Sequence, residues 1–162
     1  MVIDEMPLNA GVVFERTYDI LLEKMQNGVK RLAMGDKTAS VEAALLISIA
    51  VNGAFASELY MKSMLPGGIQ GHKLDVLYGD LSEDIQQSIK IKTVENMLKL
   101  PGGIGYDDTK FDSDLQVMGH SFVEWRYFYQ YNPHQASPQF YKALMVAVRE
   151  VATEEMKREK GE

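Results

Sequence analysis

Apolar residues recur every three to four positions along most of this chain, and that spacing limits the possible folds more than any other feature. The clearest stripe consists of Tyr18, Leu21, Leu22, Met25, Val29 and Leu32. Such a period gives a helix one apolar face, which must be buried against other helices. At 162 residues, the chain has the length of one ordinary domain. The sequence predicts an all-α, single-domain bundle of about five helices.

The expected domain organisation is a helical bundle over 14–153, an N-terminal extension at 1–13 and a charged C-terminal tail at 154–162. We expect helices over about 14–34, 39–65, 82–100, 112–131 and 138–153, with a turn or short helix at 73–78. Ser82 and Ser137 precede two of these segments and are typical capping residues. The last helix is predicted to fray after Thr153.

The string Leu-Pro-Gly-Gly-Ile occurs twice, at 65–69 and 100–104. It could mark a duplicated unit, a glycine loop that holds phosphate, or two helix ends of the same composition. The flanking helices do not match, and no Gly-Lys-Ser/Thr follows either copy. We therefore favour two helix terminators, since proline cannot continue a helix.

The absence of cysteine excludes a disulfide framework, a thiolate zinc site and a cysteine nucleophile. The three histidines, His72, His120 and His134, are far apart in sequence and show no His-x-x-x-His spacing. We expect neither a metal site nor a cofactor.

The formal net charge of −6 disfavours RNA as a partner without excluding it, because an acidic domain repels phosphate. The N-terminus lacks the basic and apolar regions of a signal peptide. The longest apolar run, 43–51, is about half of what a bilayer requires. The expected location is cytoplasmic, with no membrane association.

Charged residues break the apolar pattern at two places. Glu58 and Lys62 are four apart, so they face each other on a helix, and Glu58 shares the apolar stripe. Arg126 lies on the stripe of Phe122, Trp125 and Tyr129. Because an unpaired buried charge is costly, we predict a bridge from Arg126 to Glu58, with Asp75 or a carboxylate from another chain as alternative partners.

These residues, with His72 beside a short helix, define a predicted polar cluster: Glu58, Lys62, His72 and Arg126. The cluster is interpreted as either structural or ligand-binding, and a nucleotide or small molecule is the ligand to test. The helix over 112–131 is apolar on both sides, including Phe128, which predicts a homodimer or partner surface.

Three strings appear in an order that resembles the HEPN-type helical bundle proteins. They are Asn-Gly-Ala-Phe-Ala-Ser-Glu-Leu-Tyr-Met-Lys-Ser-Met-Leu at 52–65, Gly-His-Lys-Leu at 71–74 and Phe-Val-Glu-Trp-Arg-Tyr at 122–127. The resemblance implies a four- or five-helix bundle, often homodimeric. It also implies a role in prokaryotic or phage conflict systems, with a protein partner encoded by a neighbouring gene.

Catalytic members of that family are metal-independent ribonucleases with an arginine, four to six residues, then a histidine. The nearest match is Arg126 and His134, separated by seven residues, which departs from the pattern. In a ribonuclease the histidine would move a proton and the arginine would stabilise charge on the phosphate. The favoured prediction is a non-catalytic dimerising or partner-binding module. The alternatives are a ribonuclease toxin that uses Arg126 and His134, or a nucleotide-binding bundle.

Overall fold

The computed structural model describes residues 3–67, 69–119 and 137–161. All regular structure within these ranges is helical, and it forms a single compact domain, which confirms the predicted bundle. The helices are α1 (Glu5–Ala33), α2 (Ser40–Ala43), α3 (Leu46–Ser63), α4 (Leu74–Gly79), α5 (Glu83–Lys99), α6 (Asp108–Gly119) and α7 (Pro138–Lys160), with a 3₁₀ turn at Lys37–Ala39.

Helix α3 is at the centre of the described bundle. It packs against α1 on one side and α7 on another, while α7 also packs against α5, and the shorter α4 and α6 contact each other. Buried residues occur all around α3, including Ile49, Ala54 and Tyr60, rather than along one stripe. A helix with this pattern is surrounded by other helices, so polar groups on it must find partners inside the protein.

Glycines allow α1 and α3 to approach closely. A Cβ on Gly11 of α1 would lie 2.5 Å from Cε1 of the Tyr60 ring, and a Cβ on Gly53 of α3 would lie 3.0 Å from Cδ2 of Tyr18. The two helices therefore run antiparallel with each glycine accepting an aromatic ring from the other helix. This packing fixes the position of Glu58, two residues before Tyr60.

Helix α1 begins at Glu5 and not at Phe14, so residues 5–13 form part of it. The Asp4 side chain caps the helix by accepting the Met6 backbone N–H at 3.0 Å. Pro7 lies in the first turn, where a backbone N–H has no helical acceptor, so proline is tolerated there.

Helix α7 continues to Lys160 rather than fraying after Thr153. Its charged end is held by ion pairs and hydrogen bonds: Lys160 Nζ lies 2.8 Å from Glu5 Oε1, and Glu159 Oε2 accepts the Ile3 N–H at 2.9 Å. Gly161 ends the helix in the left-handed conformation, with φ of 73°. The charged tail therefore packs against the start of α1.

The segment predicted as one helix over 39–65 is divided in two. Asp36 accepts the Thr38 N–H at 3.0 Å and starts the 3₁₀ turn, and a turn at 44–45 separates α2 from α3. Arg31 binds Glu42 at 2.8 Å and so holds α2 against the end of α1. The bounds of α4 and α5 agree closely with prediction. The helix predicted over 112–131 begins earlier, at Asp108, and its residues 120–131, including Phe128, lie outside the described residues. Ser137 caps α7 by accepting the Phe140 N–H.

The two Leu-Pro-Gly-Gly-Ile strings follow the ends of α3 and α5. Gly102 has a φ of 82°, and a Cβ on Gly103 would overlap the Met97 carbonyl oxygen, so the second string requires its glycines. A Cβ on Gly67 would meet open space. The second copy is therefore a constrained helix terminator, whereas Gly67 in the first copy is not constrained in this way.

The stretch Lys37–Ser63 is long and apolar enough, by length and composition alone, to cross a membrane. Its mean hydropathy is 1.6 over the most apolar window, of which 33% is buried within the bundle. The central helix of a bundle that spans no membrane passes the same test, and α3 occupies the central position here.

Gly28→Ala is expected to destabilise the protein by about 1 to 2 kcal/mol. A Cβ there would lie 2.8 Å from the backbone nitrogen of Ala43, and overpacking of about 1 to 3 kcal/mol exceeds the gain in helix propensity. Urea unfolding measures the change. Gly79→Ala, where a Cβ meets nothing within 4 Å, is the matched control and should be neutral or slightly stabilising. Equal effects would contradict the close contact between α1 and α2.

Candidate functional site

The buried carboxylate of Glu58 is the centre of the candidate site. Glu58 lies on α3 and is 1% exposed. Lys62, one turn later on the same helix, places its Nζ 2.7 Å from Glu58 Oε1. The lysine side chain is 21% exposed, so its ammonium group reaches from the interior towards solvent. Burial of an ionised carboxylate is tolerated only when such donors surround it.

His72 supplies a second donor from the segment that precedes α4. Its Nδ1 lies 3.0 Å from Oε1 and 3.1 Å from Oε2 of Glu58. An ionised carboxylate only accepts hydrogen bonds, so Nδ1 must carry the proton in this contact. The imidazole therefore links the loop after α3 back to the middle of α3.

The structure thus brings together three of the four residues of the predicted polar cluster, Glu58, Lys62 and His72. The fourth, Arg126, lies outside the described residues, and so do His134 and His120. The bridge between Arg126 and Glu58 stays a prediction, as does the catalytic pair of Arg126 and His134. Within the described residues, Glu58 already has two cationic or potentially cationic partners.

Asp75, the alternative partner for Arg126, lies in the first turn of α4. Its Oδ1 is buried, and a Cβ on Gly119 would lie 2.8 Å from this oxygen. Gly119 belongs to α6, so α6 packs closely against the helix that carries Asp75. Only a glycine fits at this contact without displacing the carboxylate.

A second buried carboxylate, Glu15, was missed by the sequence reasoning. Glu15 is 5% exposed, and it accepts a hydrogen bond of 2.7 Å from the Tyr60 hydroxyl. Arg149 Nη1 lies 3.2 Å from Glu15 Oε1, and Lys142 Nζ lies 3.8 Å from the same oxygen. This second cluster joins α1, α3 and α7. Its cationic residues, Arg149 and Lys142, compensate the negative charge of the Glu15 carboxylate.

Two features of the sequence could have indicated this second cluster. Glu15 is three residues before Tyr18 and shares the apolar stripe of α1, but an acidic residue near a predicted helix start is common and does not by itself predict burial. Lys142 and Arg149 are seven apart, so they project from the same face of α7. The pairing itself depends on how three helices pack, which no single segment encodes.

The tyrosines of this region act as hydrogen-bond donors. Burial raises the pKa of the Tyr60 phenol, and the hydrogen bond to Glu15 raises it further. Burial likewise raises the pKa of Tyr18, whose hydroxyl donates to the Pro138 carbonyl oxygen at 2.6 Å. A phenol with a raised pKa stays protonated near neutral pH, so neither tyrosine can serve as a base.

Two cavities of the described structure border at most one residue of the polar cluster each. A cavity of about 270 Å³ is lined by Gln70, Gly71, His72, Lys73, Val76, Leu77 and Asp80, so of the cluster only His72 borders it. Another cavity, of about 490 Å³, is lined by Asp4, Met64, Leu65, Pro66, Gly67, Asp80, Leu81 and Ser82. In the part of the chain that the structure describes, no group of three or more histidines and carboxylates could hold a metal ion.

Comparisons of the chain with protein-family models, with curated proteins and with solved structures found no match.

Lys62→Met is expected to cost about 3 kcal/mol of stability. Removal of one partner from a buried ion pair typically costs about 3 to 5 kcal/mol, and His72 retains part of the interaction. Urea unfolding measures the loss. Lys92→Met is the matched control, because Lys92 pairs with Glu154 at the surface, and such pairs contribute within about 1 kcal/mol. Equal losses for the two variants would contradict the buried role of Lys62.

The free energy of unfolding should fall as the pH rises above about 10, and Tyr60→Phe should make that fall less steep. The pKa of Tyr60 is raised in the folded protein, so the unfolded chain releases this proton first and the stabilisation is lost with increasing pH. The slopes should differ by up to about 1.4 kcal/mol per pH unit. Denaturant unfolding between pH 8 and 11 gives both slopes, and identical slopes would contradict the buried Tyr60–Glu15 bond.

Proposed function

We propose that this protein is a non-catalytic, HEPN-like module that acts by dimerisation or by binding a protein partner. The observation that carries the proposal is the enclosed carboxylate of Glu58, with Lys62 Nζ at 2.7 Å and His72 Nδ1 at 3.0 Å. Lys62 and His72 both bind the carboxylate of Glu58, which is 1% exposed. A catalytic group must instead reach a substrate.

The second buried carboxylate supports the same interpretation. Glu15 is enclosed by Tyr60, Arg149 and Lys142, and Lys142 also binds Asp19 at 2.6 Å. Both clusters therefore use their cations to compensate buried negative charge. Such groups hold helices in register and are poorly placed to bind a substrate phosphate.

Charge pairing on the surface favours a protein partner over RNA. The basic pair in the sequence, Lys90 and Lys92, binds acidic side chains: Lys90 Nζ lies 2.7 Å from Asp112, and Lys92 Nζ lies 2.9 Å from Glu154. Phosphate contacts would have to compete with these carboxylates in a domain whose net charge is −6.

The biological setting rests on the resemblance of 52–65, 71–74 and 122–127 to HEPN-type proteins. It supports a cytoplasmic protein of a prokaryotic or phage conflict system, such as a toxin–antitoxin pair or an abortive-infection system. A product of a neighbouring gene is the first partner to test. The rival function is a ribonuclease toxin that uses Arg126 and His134.

The purified full chain is expected to leave RNA intact, and its expression should not arrest growth. The test incubates it with labelled single-stranded RNA in the presence of EDTA, beside Arg126→Ala and His134→Ala. His72→Ala is the matched control histidine. The proposal is overturned by metal-independent cleavage that disappears in Arg126→Ala and His134→Ala but persists in His72→Ala. Circular dichroism confirms that each variant is folded.

A further inference from the structure

The two copies of Leu-Pro-Gly-Gly-Ile lead into segments that are held in different ways. After the second copy the backbone binds itself: the Gly103 N–H donates to the Leu100 carbonyl oxygen, and the Tyr106 N–H donates to the Gly103 carbonyl oxygen, both at 3.0 Å. Tyr106 is buried, and its hydroxyl donates to Asp114 at 2.9 Å. The segment after the second copy is therefore fixed by its own backbone and by a buried ring.

The segment 69–73, which joins the first copy to α4, lacks such support. Ile69, Gln70 and Gly71 form no backbone hydrogen bond with another described residue. Gly71 has a φ of 146°, and a Cβ there would meet nothing within 4 Å. The residues from Gln70 to Lys73 are exposed, so water satisfies the backbone groups of this segment.

Open space adjoins every residue of the segment 69–73. Ile69 borders a cavity of about 120 Å³, which Lys62 also lines. The other four residues, Gln70, Gly71, His72 and Lys73, border the cavity of about 270 Å³. Solvated backbone groups and sparse packing are the physical marks of a segment that opens without unfolding the rest of a protein.

The imidazole of His72 attaches this segment to the centre of the bundle. Its Nδ1 lies 3.0 Å from Oε1 and 3.1 Å from Oε2 of Glu58. Hydrogen bonds to an ionised group are stronger than those between neutral groups. Helix α4, which follows the segment, is anchored separately, because Leu74 and Leu77 are 0% and 1% exposed. Release of His72 would therefore free the segment and leave α4 in place.

We propose that the segment 69–73 is a latch over the buried ion pair of Glu58 and Lys62, and that His72 closes it. In the open state the imidazole leaves both oxygens of Glu58 and water takes its place, while α3 and α4 stay packed. The His72 side chain is already 49% exposed, so it moves into solvent without crossing the core. Opening is a local event confined to these five residues.

The latch goes beyond the proposed function, because it gives the same fold a second, less populated state. The closed state encloses the Glu58 carboxylate, and the open state gives solvent a path to it. A molecule that binds only the open state would increase the population of that state in proportion to its affinity. The latch is the same whether the protein binds a partner or cleaves RNA, so the two proposals fail separately.

Carboxyl labelling of the full chain tests the latch in the wild type. A carbodiimide with glycine ethyl ester converts accessible carboxylates to amides, and peptide mass spectrometry gives the initial rate at Glu58. The rate should be nearly independent of urea below the unfolding transition, since local opening exposes little surface. A Glu58 rate that rises with urea as steeply as global unfolding would overturn the latch.

The same measurement on variants tests the role of His72. His72→Ala should raise the Glu58 labelling rate by about ten- to a hundredfold, as expected for loss of a hydrogen bond to a charged group. His72→Asn keeps a side-chain N–H donor and should restore part of the protection. Lys73→Ala is the matched control, because Lys73 is exposed in the same segment and forms no ion pair with another described residue.

Glu15 provides an internal reference, since this carboxylate is 5% exposed and belongs to the other cluster. Its labelling rate should be unchanged in His72→Ala. The inference is overturned by an unchanged Glu58 rate in His72→Ala, by an equal rise in Lys73→Ala, or by a parallel rise at Glu15. If circular dichroism shows that His72→Ala is unfolded, the urea series of the wild type and the His72→Asn variant decide the question.

Discussion

The enclosure of one carboxylate determines much of this structure. Glu58 is 1% exposed in the middle of the central helix α3, and its charge is tolerated because Lys62 and His72 both bind it. The lysine comes from the same helix, whereas the histidine comes from the segment before α4. The contact therefore fixes the path of the chain after α3 and the position of α4. It also places Asp75 of α4 against Gly119 of α6.

A second buried carboxylate has the same role in joining helices. Glu15 of α1 binds Tyr60 of α3 and Arg149 of α7, so one charge joins three helices. In both clusters the cationic side chains compensate the charge of a buried carboxylate. Near the end of α1, beyond the start of α3, Val29 and Leu32 are 50% and 41% exposed.

The sequence was sufficient where one segment carries the signal. The helical period gave the bundle, the four-residue spacing gave the contact of Glu58 with Lys62, and Ser137 marked the start of α7. The sequence was insufficient where contacts between distant segments determine a helix boundary or the exposure of a side chain. The start of α1 was not predicted because Pro7 and Gly11 are poor helix formers in general. Proline is tolerated at Pro7 because it lies in the first turn, and glycine is needed at Gly11 because the Tyr60 ring packs there. The exposure of Val29 depends on where α3 begins, and no pattern within α1 reports that.

The protonation state of the His72 imidazole tests the central claim most directly. If Glu58 is an enclosed, ionised acceptor, the Nδ1 atom must donate to it. Nitrogen-15 NMR of the full chain distinguishes a protonated from an unprotonated Nδ1 by chemical shift. We predict a protonated Nδ1 in the wild type near neutral pH, and loss of that preference in Glu58→Ala. An unprotonated Nδ1 in the wild type, indifferent to the Glu58 substitution, would show that the carboxylate is not held as described.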